Sequence, residues 1–122
     1  LTVLFDSEVS DTDTMHSTVS NTGRITINTA GTYLIIGNVI YEPVAGSGRF
    51  GLNILKNGTT FLATSIIPNN TGNRFGIMVS VIENLAVNDY LTLTTSQNTT
   101  NNTTIVGFGQ HNPIFQAHFI CA

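Results

Sequence analysis

The stretch "LNILKNGTT", residues 52–60, decides how this chain is read. An Asn-Gly pair set between two apolar-rich runs is the composition of a type I′ hairpin turn. Both central positions of that turn need positive φ, which Gly adopts freely and Asn tolerates better than most residues. Asn57 and Gly58 therefore predict a strand ending at Lys56 that folds back on an antiparallel partner starting at Thr59. Working outward, further strand signals recur at short intervals between clusters of Gly, Asn, Pro and Asp. They predict strands at Thr2 to Phe5, Arg24 to Asn28, Thr32 to Tyr41, Arg49 to Lys56, Thr59 to Ile67, Arg74 to Asn84, Tyr90 to Ser96, Thr103 to Phe108 and Ile114 to Cys121.

Composition agrees with that pattern. Only 9% of the 122 residues are charged, against roughly 25% in ordinary soluble domains. Their place is taken by 19 Thr and 14 Asn, of which Thr favours strands and Asn favours turns. No helical period competes, so the class is all-β. A chain of this length forms one domain, residues 1–122, with 1–20 as an N-terminal strand followed by an acidic surface loop. The polar tract "TTSQNTTNNTT", residues 94–104, lies between apolar strands and reads as a hairpin tip.

Charge excludes several partners. The net charge is −3, and Arg24, Arg49, Lys56 and Arg74 are scattered singly. Nucleic acid and anionic membranes need a basic stripe, which is missing. The apolar run Tyr33 to Ile36 is far short of the roughly 20 residues of a membrane-spanning helix. Cys121 is the single cysteine, so no intrachain disulfide is expected.

Several strands are apolar on both faces. Between Arg74 and Ile82 one face reads Phe75, Ile77, Val79 and Val81, and the other Gly76, Met78, Ser80 and Ile82. A sandwich buries only one of these within the monomer, so the second needs a cover and an oligomer is expected. The last strand divides likewise. Phe115, Ala117, Phe119 and Cys121 are assigned to the core. Ile114, Gln116, His118 and Ile120 mix apolar with hydrogen-bonding side chains, which suits a subunit interface.

Reactive constellations are sparse. Asp11 and Asp13 are the candidate Ca²⁺ ligands, yet the remaining EF-hand positions are missing and a solvated Asx turn is the expectation. No metal or other cofactor is expected. His16, His111 and His118 lack zinc spacing, although a His near a three-fold axis is presented three times and could bind a metal or respond to pH. His118 and Cys121, three apart on a strand, point to opposite faces and cannot form a nucleophile and base pair. "GSG" at 46–48 opens no helix and is no phosphate loop. The chain is not expected to be an enzyme.

Four stretches in order, "AGTYLIIGNVIY" (30–41), "LNILKNGTT" (52–60), "LAVNDYLTLTTSQ" (85–97) and "PIFQAHFI" (113–120), resemble the tumour-necrosis-factor-like superfamily. The nearest branch is that of the globular heads of the first complement component, with its bacterial and phage relatives. "FDSEVSDTDTMHS" and "NTGRITINTAGTY" resemble the opening of the phage and bacterial members. Gly31 and Tyr33 match a Gly-x-Tyr that turns the chain and enters the core, and Asn57 and Gly58 match the family hairpin. Asn88 and Asp89 stand where Gly-Asp is usual, and Phe115 and Ala117 replace Phe-x-Gly. The resemblance implies a ten-stranded antiparallel jelly roll that forms a homotrimer, with Tyr90 in the contact beside the last strand. It also implies non-enzymatic binding or structural work, with Ca²⁺ bound in some members.

The functional expectation is a trimeric protein of a virion surface: a phage capsid decoration (cement) protein seated on the major capsid protein, or a knob on a tail-fibre stalk. The alternative is a bacterial cell-surface or extracellular lectin-like module. It would bind a host-surface glycan or protein through loops near Pro43 to Gly48, Pro68 to Gly72 and Asn98 to Asn102.

Overall fold

A computed structural model describes residues 1–43, 48–69, 73–99, 103–107 and 111–122. Among these residues there is no α-helix. The strands are β1 (Arg24–Thr26), β2 (Gly31–Pro43), β3 (Gly48–Lys56), β4 (Thr60–Asn69), β5 (Phe75–Leu85), β6 (Tyr90–Gln97), β7 (Thr103–Ile105) and β8 (Ile114–Cys121). One antiparallel sheet has the order β1-β6-β3-β4. In the other, β5 lies along one edge of β2, while β7 and β8 follow one another along the opposite edge. The chain changes sheet at every connection except β3 to β4 and β7 to β8.

Three expectations need correction. The described residues form eight strands, not ten. The first predicted strand is reduced to an isolated bridge, Thr2 to Thr94, supported by Val3 N donating to Leu93 O at 2.8 Å. The tract at 94–104 is a crossover rather than a hairpin tip, because β6 pairs with β1 and β3 whereas β7 pairs with β2. A polar run between two strands marks a reversal but carries no information about which neighbour each strand takes. The strand expected over Thr103 to Phe108 ends at Ile105, and Phe108 itself lies outside the described residues.

The period of two along β2 builds the core. Tyr33, Ile35, Val39 and Tyr41 are buried and meet Phe50, Leu52, Ile54, Leu91 and Leu93 from the opposite sheet. Gly37 marks where the sheets approach closely: a Cβ there would lie 2.4 Å from Leu93 Cδ1. Tyr41, Phe50 and Phe75 form an aromatic cluster with ring centroids 5.0–5.3 Å apart. The Tyr41 phenol donates to Gly51 O at 2.8 Å, and burial holds its pKa above the ordinary tyrosine value.

Outside the core, two turns are locked together. Asn57 and Gly58 have φ of 55° and 77°, and Thr59 N donates to Lys56 O at 3.3 Å, closing the type I′ turn read from the sequence. The partner strand begins at Thr60, one residue later than expected. The second turn centres on Asn88, with φ 74°. Asp89 Oδ2 accepts Ala86 N at 2.9 Å. Between the turns, Asn57 Nδ2 donates to Asp89 Oδ1 and Tyr90 N donates to Asn57 Oδ1, both at 2.9 Å. Asn57 N also donates to Tyr90 O at 2.8 Å.

The Asn57 amide, with the Ala86 amide and Lys56 behind it, holds the Asp89 carboxyl below the usual carboxylate range against a smaller opposing effect of burial. A depressed folded-state pKa stabilises above the unfolded value, near 3.8, and that contribution disappears as pH falls through the lower folded value. Asn57→Gly keeps the left-handed backbone and deletes only the side chain. It is expected to lower stability by about 1–2 kcal/mol at pH 7 in urea titrations. The deficit should shrink as the pH falls through and below the ordinary carboxylate range.

Candidate functional site: an uncharged sheet face

The alternation that buries one face of β2 turns Leu34, Ile36, Asn38 and Ile40 to the other. Strand register then aligns them with both neighbours. Reading β5 to β2 to β8, the rows are Ile82, Leu34, His118; then Ser80, Ile36, Gln116; then Met78, Asn38, Ile114. Gly76 lies beside Ile40 in the next row. No Asp, Glu, Lys or Arg occupies these positions. Met78 is 63% and Ile82 61% exposed, values far from those of side chains that have found their packing partners. The face has polar ends, with an Arg74 and Glu42 ion pair beyond Ile40 and Asn84 Nδ2 donating to Thr32 Oγ1 at 3.5 Å beyond Leu34.

His118 and Gln116 are the polar pair within the face, 2.9 Å apart between Nε2 and Oε1. Ile114, Gln116, His118 and Ile120 are all exposed. Their β2 neighbours Leu34 and Ile36, with Ile40 beside Gly76 of β5, complete the patch and were missed in the sequence reading. The usable signal was the apolar character of both faces of Thr32 to Tyr41, the same pattern that marked Arg74 to Ile82.

Two core assignments for β8 need correction. Phe115 is half-buried, stacked with Phe5 at 6.0 Å between centroids, but Phe119 is 50% exposed and Cys121 is exposed. The pairing shifts at Thr32/Tyr33, so strict alternation fails at the end of β8. Phe119 still meets Tyr33 edge-on at 5.5 Å. Tyr33 itself is buried, and its phenol donates to Thr29 O at 2.6 Å. Gly31 opens β2 without positive φ, so its role is not to turn the chain. Its missing side chain makes room for β8, since a Cβ would lie 2.5 Å from Phe119 Cε2 and 2.6 Å from Cys121 O.

Tyr90 belongs to the opposite sheet, on β6. Arg24 sits 4.0 Å over its ring, and its phenol oxygen lies beside Gly58, so it takes no part in the face on β5, β2 and β8. The expected binding loops near Pro43 to Gly48, Pro68 to Gly72 and Asn98 to Asn102 fall largely outside the described residues.

Neither a protein-family model nor a curated protein matches this chain. What it can do rests on its own side chains. The N-terminal loop gathers Glu8, Asp11, His16 and His118 around a cavity of about 410 Å³, with Phe5, Met15 and Phe115 among the apolar walls. Asp11 uses both carboxylate oxygens on its own turn, accepting Met15 N at 2.8 Å and His16 N at 2.9 Å. Asp13 Oδ2 accepts the Thr29 hydroxyl at 2.9 Å. Thr14, the residue after Asp13, is held at φ 54°. His16 bridges Glu8 Oε1 and Thr22 O, each at 2.9 Å. Among the described residues no three of His, Cys, Asp and Glu gather as a metal site.

Gly31→Ala is expected to lower stability by about 1–3 kcal/mol, because the Cys121 carbonyl is backbone and yields only by displacing β8. Hydrogen exchange should show that loss as faster exchange of the β8 amides, with the β3 and β6 amides changed only to the extent of the global destabilisation.

Proposed function

We propose that this chain is a non-enzymatic structural module that assembles as a homotrimer through the outer face of β5, β2 and β8. The observation that carries the reading is the uncharged row pattern around Leu34 and Ile36. Water contact along three aligned strands leaves apolar surface unburied, and covering it is favourable at roughly 25 cal/mol per Å². A second and third copy are suitable covers, because each presents the same uncharged surface and no unpaired charge is buried in the contact. Interspersed Asn38, Ser80, Gln116 and His118 supply hydrogen bonds that fix how the copies align.

In this reading the two sheets form a jelly roll of the tumour-necrosis-factor-like kind, with its trimeric habit. The Thr- and Asn-rich composition and low charge favour a virion surface, either as a capsid decoration protein or as a tail-fibre knob. The exposed Leu1, Leu4, Val9 and Val19 of the N-terminal segment supply an apolar arm for seating the trimer on capsid protein.

Sedimentation velocity at micromolar concentration tests the assembly and should show a trimer. Ile82→Glu places a charge in the contact beside Leu34, where an unpaired buried carboxylate costs several kcal/mol, and should raise the dissociation constant by about 100-fold or more. A folded wild-type monomer, or an Ile82→Glu trimer of unchanged stability, would overturn the proposal. Electron microscopy of particles decides the location, and absence of the protein from virions would remove the virion reading.

A further inference from the structure

We infer that Asn57 is a conformationally gated deamidation site, protected while the two turns are clasped and converted when they open. Asn57-Gly58 is the only Asn-Gly sequence in the chain. A following Gly leaves its backbone nitrogen unhindered for attack on the Asn side-chain carbonyl carbon. In that reaction a bond forms between Gly58 N and Asn57 Cγ, the bond from Cγ to Nδ2 breaks, and ammonia leaves with the proton lost from the Gly58 nitrogen. Water then opens the cyclic imide to aspartate or isoaspartate. No oxidant, metal or enzyme is required.

The clasp opposes the cyclisation. Asn57 Nδ2, the leaving group, is held by Asp89 Oδ1, and Asn57 Oδ1 is held by Tyr90 N, each at 2.9 Å. Turning Cγ toward the Gly58 nitrogen breaks both bonds. The Tyr90 phenol oxygen lies beside Gly58, so the surroundings of the turn are occupied as well. Once converted, the site cannot return to its starting state. Aspartate at position 57 loses the donor that met Asp89 and sets a second carboxylate against the first. Isoaspartate also lengthens the backbone within a turn whose two central φ values are already specified. An opened turn is therefore marked permanently, which makes residue 57 a record of past opening.

Peptide mass spectrometry of the full chain, aged at mildly alkaline pH, tests this directly. Conversion at Asn57 should be roughly tenfold or more faster in urea than in native buffer, as expected for chemistry that passes through an opened state. Asp89→Ala, verified as folded by circular dichroism, should convert faster than wild type in native buffer. Equal rates in native buffer and urea, or a folded Asp89→Ala chain that ages like wild type, would overturn the inference. Should Asp89→Ala not fold, Asn57→Asp reports on the consequence. It should melt below wild type at pH 7, with the gap narrowing when the carboxylates are protonated, and an unchanged melting temperature at pH 7 would count against the locked-turn account.

Discussion

Strand β2 imposes the constraint on which the rest of the structure depends. It pairs with β5 over its length and with β8 and β7 along the other edge, so its register specifies which residues of three strands share a face. Because side chains alternate, burying Tyr33, Ile35, Val39 and Tyr41 obliges Leu34, Ile36, Asn38 and Ile40 to point away from the core. A slip by one residue would exchange the two sets and leave Tyr33 and Tyr41 in water. The exposed apolar face is thus a necessary companion of the core, produced by the same pairing.

A second device acts at the opposite sheet, where packing alone does not specify geometry. Two turns distant in sequence exchange side-chain and backbone hydrogen bonds through Asn57, Asp89 and Tyr90. Each of these turns has a residue in left-handed geometry, an arrangement that costs energy for residues with a side chain. The clasp returns part of that cost by satisfying the Asn57 amide and the Asp89 carboxylate together. Chemistry and fold meet here, since the bonds that align β3 and β6 also immobilise the most easily deamidated sequence in the chain.

Legibility differed between these regions for physical reasons. The turn at Asn57 and Gly58 was readable because positive φ at two successive positions restricts the residues that fit. The inward face of β2 was readable from period two. The exposure of Cys121 was not, because a register shift between Phe119 and Cys121, opposite Tyr33 and Thr32, breaks the alternation on which the assignment of the end of β8 relied; Phe119 keeps the core-side register opposite Tyr33 and is exposed all the same. That Tyr90 lies in the other sheet from β8 was unreadable for a related reason: its own strand gives no indication of which sheet that strand joins. Likewise the tract at 94–104 announces a reversal of the chain without disclosing that it passes from one sheet to the other.

By itself, the sequence determined an all-β class, the Asn57-Gly58 turn, most strand positions and the presence of apolar residues on both faces of several strands, because these follow from local steric preference and period. Only the tertiary structure decided that the second faces of β5, β2 and β8 adjoin in one uncharged surface, that Asp89 reaches Asn57, and that Gly31 makes room for the end of β8. Each of those depends on pairing between residues far apart in the chain. Such pairing is selected by the collective burial of the core and has no signature within a local stretch of sequence.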